Sequence, residues 1–226
     1  MPQDRNADNG GDYASPACMA NEIAPDYFDP FAVDPQQARD VARWRKSERA
    51  RLIAARAILP AAMRATNDAA IRAHLAALVG APGGRVIAGF WPIGAEPDLR
   101  PLLASWHEMG AQIALPVVEV RAAPLVFRRW TSDTAMITSL WDIPAPPPDA
   151  PALIPDIILL PLVGWDGAGH RLGHGGGYYD HTLAALSPGQ TIGIGYQGAR
   201  IATIYPQPYD IALAHIVTEV GPQPLI

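Results

Sequence analysis

An α/β domain with neighbouring parallel strands is the fold class that this sequence predicts, and three observations carry the prediction. The period of the apolar residues changes from helical to strand-like after residue 80. A strand-loop-helix-strand unit follows over residues 85–116, a unit that favours parallel neighbours. The most apolar run, Ile157–Val163, is short and unbroken, as in a strand buried on both faces. Size and composition agree. A chain of 226 residues suits one large domain, and 49% apolar content provides a sizeable core. The 24 prolines point to many short elements joined by stiff turns.

The elements follow in order. Residues 1–33 are rich in Asn, Asp, Gly and Pro and lack apolar periodicity, which predicts a flexible N-terminal arm. Its stretch Tyr27–Phe31 could instead pack as an anchor on the domain. Residues 34–226 are expected to form the single domain. A helix is predicted over Pro35–Leu59, with Pro35 in the first turn and Pro60 as the stop. A second helix is predicted from about Thr66 to Val79, capped by Thr66 or Asn67 and ended by Gly80. A strand over Arg85–Trp91 leads through the loop Pro92–Pro97 to a helix capped by Asp98 and ended by Gly110. Strands are expected at Gln112–Pro116 and, in a hairpin-like excursion, at 124–130. The proline-stiffened stretch 143–155 is expected to be a surface connection. After Ile157–Val163 come a glycine-rich loop, a helix over about Tyr179–Leu186, a strand at Thr191–Tyr196 and a final strand at His215–Val220.

Charge and cysteine content narrow the function. A net charge of −5 argues against a broad nucleic-acid footprint. Arg43, Arg45, Lys46, Arg49, Arg51 and Arg56 do cluster, and the cluster is either a solvated helix face or a local anion site. Cys18 is the only cysteine, so no disulfide forms within the chain. The polar N-terminus lacks a secretory pattern and the apolar runs are too short to span a bilayer, which makes the cytoplasm the expected location.

The stretch GAGHRLGHGGGYYD, residues 167–180, lies between a buried strand and a helix start. Its glycines permit positive φ and bring backbone N–H groups close to an anion, and a following helix N-terminus adds a field favourable to phosphate. A β-branched residue at Gly176 is expected to abolish that approach by both conformation and bulk. The loop matches neither a P-loop nor GxGxxG, and glycine content alone would equally suit a structural turn.

The full string RLGHGGGYYD after LLPLVGWD resembles the 5-formyltetrahydrofolate cyclo-ligase family, the methenyltetrahydrofolate synthetases, over roughly residues 40–220. The resemblance implies a three-layer α/β/α sandwich with a mostly parallel central sheet. It also implies an ATP- and Mg²⁺-dependent conversion of 5-formyltetrahydrofolate to 5,10-methenyltetrahydrofolate, ADP and phosphate. In that chemistry ATP activates the formyl oxygen, and the neighbouring N10 closes on the activated carbon. A protein serves it by alignment and charge neutralisation.

Carried over by motif, the ATP-contacting segment is Arg171, Leu172, Gly173, His174, Gly175, Gly176, Gly177, Tyr178 and Tyr179, with His174–Tyr178 also lining the folate side. Arg171 and Asp180 are the implied catalytic residues. Asp180 is implied to associate with Mg²⁺; without the resemblance it is a helix N-cap. Asp210 is a second implied metal position and otherwise a turn residue. Glu96 is implied to accept hydrogen bonds from the folate ring system, and Trp91 either touches that ring or belongs to the core. Arg45 and Arg49 fall where the family has a lysine and an arginine on ATP, and another register uses Lys46. Arg45, His181 and Tyr209 depart from the family pattern, which keeps open a non-catalytic nucleotide- or folate-binding relative. The expected partner is a reduced folate, with no nucleic acid or membrane, on a monomer or weak homo-oligomer.

Overall fold

The computed structural model describes residues 34–186 and 188–226; the expected arm and its Tyr27–Phe31 anchor lie outside them. The described chain begins with α1 (Pro35–Ala57), α2 (Ala61–Val79), β1 (Val86–Ala88), α3 (Arg100–Glu108), β2 (Gln112–Val117) and β3 (Val126–Arg129). Next come β4 (Ile137–Thr138), β5 (Pro144–Ala145), β6 (Ala152–Leu153), β7 (Ile157–Pro161), β8 (Gly164–Trp165) and β9 (Arg171–Leu172). It ends with α4 (Tyr178–Leu186), β10 (Gln190–Ile194), β11 (His215–Thr218) and β12 (Gly221–Pro222).

Eight of the strands form one sheet in the order β12-β11-β10-β7-β1-β2-β3-β6. The five central strands from β11 to β2 are parallel, while β12, β3 and β6 add antiparallel edges. The central strand β7 explains the two-sided core. Ile157 and Leu159 pack with Ile71, Leu75, Leu103 and Trp106 of α2 and α3. Ile158 and Leu160, alternating to the other face, pack with Phe127, Trp165 and Leu183 of α4. The result is the expected three-layer sandwich with a mostly parallel sheet.

Helix α1 stands apart from both layers. Its start is as expected: Pro35 is the first helical residue and the Asp34 side chain accepts from Gln36 N at 2.8 Å. Its buried stripe is Val41, Arg45, Leu52 and Arg56, so two arginines share the inward face with two apolar residues. Leu52 docks in a small separate cluster with Val163, Leu172 and Ile204.

Several expectations are corrected. Helix α2 starts at Ala61, five residues before the expected Thr66, because Pro60 takes the cap position with φ −56° and ψ 142°. Thr66 does not cap; its hydroxyl donates to Ala62 O one turn back, at 3.1 Å. Asp98 is not the residue flanking α3, which is Leu99, yet its carboxylate accepts from Arg100 N at 3.0 Å and so serves the same turn. The stretch 143–155 is more than a connection, since it supplies β5 and the edge strand β6, and Ala145 is buried. The expected final strand stops at Thr218 and is followed by β12.

Candidate active site

A cleft of about 1220 Å³ opens at the C-terminal ends of β1, β2 and β7, where open parallel sheets present their loops. Phe90, Trp91, Pro116 and Pro161 form its floor, the glycine-rich loop one wall, and α1 another. The cleft collects nearly every residue singled out from the sequence: Arg45, Arg49, Trp91, Glu96, the whole segment Arg171–Asp180, His181, Tyr209 and Asp210. Among the residues that the resemblance implicates, Lys46 is the exception. It is exposed and does not line the cleft, because one step along a helix turns it about 100° away from Arg45. Arg45 and Arg49, four apart, share a face.

The glycine loop has the conformation that its composition allows. Gly175 (φ 100°) and Gly177 (φ 69°) occupy the left-handed region. Gly176 does not, which corrects the conformational half of the expectation; a Cβ there would instead meet the Tyr178 ring at 2.8 Å. Arg49 braces the loop from α1: its Nε donates to Gly173 O at 2.7 Å, and a Cβ on Gly175 would lie 3.3 Å from its guanidinium carbon. Its two Nη groups donate to no protein acceptor among the described residues, so they form an open fork beside the loop. Burial, and then the like charge of Arg45, lower the Arg49 pKa below its ordinary value, while Asp210 and Tyr209 act in the opposite direction.

The other two cleft arginines are already committed. Arg45 donates through Nε to Ile204 O at 3.0 Å, through Nη1 to Asp210 Oδ1 at 3.1 Å, and through Nη2 to Asp210 Oδ2 at 2.5 Å and Tyr205 O at 2.9 Å. Tyr205 adopts φ 52°, an uncommon conformation for a non-glycine, and its carbonyl also accepts from Gln207 Nε2 at 3.0 Å. Arg171, its side chain 4% exposed, donates to Asp180 Oδ1 at 2.7 Å and to Ile211 O at 3.0 Å.

The two acidic positions therefore differ. Asp180 is the third residue of α4 rather than its N-cap, and its Oδ2 accepts nothing from the described residues. Asp210 has both oxygens engaged, by Arg45 and by Gln207 N at 2.6 Å. No group of three or more His, Cys, Asp or Glu able to hold a metal ion occurs among the described residues. A hard cation held mainly by phosphate and water needs only one or two carboxylates, so the free oxygen of Asp180 fits one and Asp210 fits less well.

At the far end, Glu96 has a side chain 1% exposed. Its Oε2 accepts from Ile93 N at 3.0 Å, and Oε1 lies 2.8 Å from His174 Nε2 and 3.9 Å from Arg56 Nη2. Tyr179 Oη is buried without a partner; burial first, then the charge of Glu96, push its hydroxyl well above the ordinary tyrosine value. It is a neutral donor facing no acceptor. Trp91 takes both roles left open for it, packing against the core while lining the cleft, with the Arg100 guanidinium 4.8 Å over its ring.

Over residues 41–219 the sequence matches the 5-formyltetrahydrofolate cyclo-ligase family. The chain belongs to that family. It is 33% identical over 178 residues to the 5-formyltetrahydrofolate cyclo-ligase of Mycolicibacterium smegmatis (strain ATCC 700084 / mc(2)155), covering 75% of this chain and 91% of that one. The cyclo-ligase of Escherichia coli (strain K12) is 30% identical over 139 residues, 58% of this chain and 76% of the relative. Among solved structures, the Aquifex aeolicus 5,10-methenyltetrahydrofolate synthetase superposes with a TM-score of 0.70 at 24% identity, covering 80% and 92% of the two chains. The Mycoplasma pneumoniae synthetase gives 0.64 at 22% identity, over 77% and 98%. At those identities the structural likeness establishes the cyclo-ligase fold alone. Family membership makes the chain an enzyme of the ligase class.

Two features of this cyclo-ligase cleft escaped sequence reasoning. The segment Leu140–Trp141 lines it, with Trp141 61% exposed and edge-on to Tyr178 at 5.6 Å. A lone tryptophan ahead of a proline-rich stretch was the available signal. The second is the place of Arg56, which the sequence marks only as a member of the arginine cluster and which lies behind the cleft wall, 3.9 Å from Glu96 Oε1.

Proposed function

We propose that this chain catalyses the ATP- and Mg²⁺-dependent closure of 5-formyltetrahydrofolate to 5,10-methenyltetrahydrofolate, releasing ADP and phosphate. The observation that carries the proposal is the pairing, in one cleft, of an open arginine fork on a positive-φ glycine loop with a buried carboxylate opposite it. A volume near 1220 Å³ exceeds the roughly 300–1,000 Å³ of a single-ligand pocket and suits two ligands side by side.

ATP, when bound, supplies the phosphoryl group that turns the formyl oxygen into a leaving group. The protein's part is to bind and align. The Arg49 fork and the loop amides from Gly173 to Tyr179 hold phosphate oxygens, and the first turn of α4 adds its favourable field. Asp180 offers Oδ2 to the cation while Oδ1 keeps Arg171 in place. Asp210 acts at one remove, by fixing Arg45 and through it the 204–205 backbone against α1. Glu96 accepts from the ring N–H groups of the folate once His174 yields Oε1. Tyr179 Oη donates to a carbonyl that enters beside Glu96.

Purified protein mixed with ATP, Mg²⁺ and 5-formyltetrahydrofolate should develop the near-ultraviolet absorbance of the methenyl product. Binding of both ligands without that absorbance would overturn the catalytic reading.

A further inference from the structure

We infer that Arg56 is the positioning residue that holds the Glu96 carboxylate in its ligand-accepting state. The inference rests on the reading of Glu96 as the folate acceptor.

Arg56 is an odd residue for its place. It occupies the inward stripe of α1, with 9% of its side chain exposed. A cation in the last turn of a helix can complement the helix C-terminus, but that role needs no burial. The fold also leaves it poorly served. Nη1 reaches Leu162 O at a long 3.3 Å, and Nε is buried with no partner. A buried guanidinium with an orphaned donor is destabilising compared with an apolar side chain of similar size. Stability alone does not account for it.

What Arg56 does face is Glu96, whose Oε1 is 3.9 Å from Nη2. That distance is beyond hydrogen bonding yet close enough for strong attraction in a site shielded from water. The distinction matters for a binding carboxylate. In the Arg45–Asp210 pair the guanidinium takes up the oxygens it neutralises. Arg56 instead supplies counter-charge without consuming the lone pairs of Glu96. Of the two Glu96 oxygens, Oε2 is fixed by Ile93 N, and Oε1 is held only by His174, whose side chain is 40% exposed and free to swing away. If it turns outward, Oε1 loses its one hydrogen-bond partner and the Arg56 guanidinium, 3.9 Å away, remains beside it, leaving that oxygen open to a ligand donor.

The test compares the affinities of the full chain for 5-formyltetrahydrofolate and for ATP, by calorimetry, in wild type, R56K, R56M, E96Q and R56M/E96Q, with thermal unfolding of each. R56M should weaken folate by about tenfold or more while ATP affinity stays within about twofold. R56K should recover most of the loss, and in the E96Q background R56M should change folate affinity by less than about twofold. Should R56M fail to fold, R56Q takes its place as a neutral polar replacement with the same expected outcomes. Folate affinity unchanged by R56M, or lowered as much in the E96Q background as in wild type, overturns the inference and leaves the Glu96 reading intact. Folate affinity unchanged by E96Q alone overturns that reading, and the inference with it.

Discussion

Asp180 stands between a buried arginine and open space, so its two oxygens should respond differently to substitution. In D180A, Arg171 loses its charged partner and keeps only Ile211 O, which should cost roughly 1–3 kcal/mol of stability as well as turnover. D180N retains an acceptor for Arg171 and replaces only the free oxygen. It should unfold close to the wild-type temperature yet require about tenfold more Mg²⁺ for half-maximal rate, or more. Thermal melts and a Mg²⁺ titration of both variants check this, and equal Mg²⁺ requirements in D180N and wild type would exclude Asp180 as the metal carboxylate. Asp210 shows where residue-level reading stops. Its chemical type was legible, but its partner lies 165 positions away, and no local pattern announces that both its oxygens belong to Arg45. Arg56 was illegible for a similar reason: an arginine on a helix rich in arginines looks solvated until the fold buries it.

At the level of elements, the glycine loop separates two kinds of glycine. Gly175 combines φ 100° with the Arg49 guanidinium 3.3 Å from where a Cβ would sit, whereas a Cβ on Gly173 would meet nothing within 4 Å. G175A should therefore lower stability by roughly 1–2 kcal/mol and weaken ATP severalfold by displacing the Arg49 fork. G173A should do little of either, and equal ATP affinities in the two variants would count against the fork. The start of α3 makes a prediction about acid. Hydrogen bonds from the Arg100 side chain hold Asp98 below the usual carboxylate value, with its backbone N–H adding to them. A carboxylate with a depressed folded-state pKa contributes stability above its unfolded value of about 3.9 and loses it as pH falls through the folded one. D98N should thus melt below wild type at pH 6, by an amount discounted to about 1 kcal/mol or less for its exposure, and the gap should close as pH falls through the depressed folded-state value. A gap that persists in acid would assign the effect to packing. Elements with a strong period, such as β7, were legible because burial on both faces admits only apolar residues. The start of α2 was misread because Pro60 both stops one helix and caps the next, a double use that propensity does not distinguish from a plain break.

For the molecule as a whole, the sheet and its two helical layers form a scaffold that ends before the chemistry begins, and α1 completes the site from outside it. The helix carries Arg45, Arg49 and Arg56 over about 16 Å of its length; the first two line the cleft and the third sits behind Glu96. Its apolar dock is small, comprising Leu52 against three buried residues, the buried Val41, and Trp44 edge-on to Tyr205, and the arginines supply further polar contacts. Hydrogen exchange should register this division. On adding ATP and Mg²⁺, amides of residues 45–56 should slow by about tenfold or more while those of β7 barely change, since a ligand protects the segments whose opening it opposes. Uniform protection of both, or none in α1, would contradict it. The thin dock also sets a clock. If α1 were to lift, the loop would lose the Arg49 brace and Glu96 its neighbouring cation together, so under the proposed function nucleotide and folate would be released by the same event. On that reading, the lifetime of the loaded complex would be set by how long one helix stays seated.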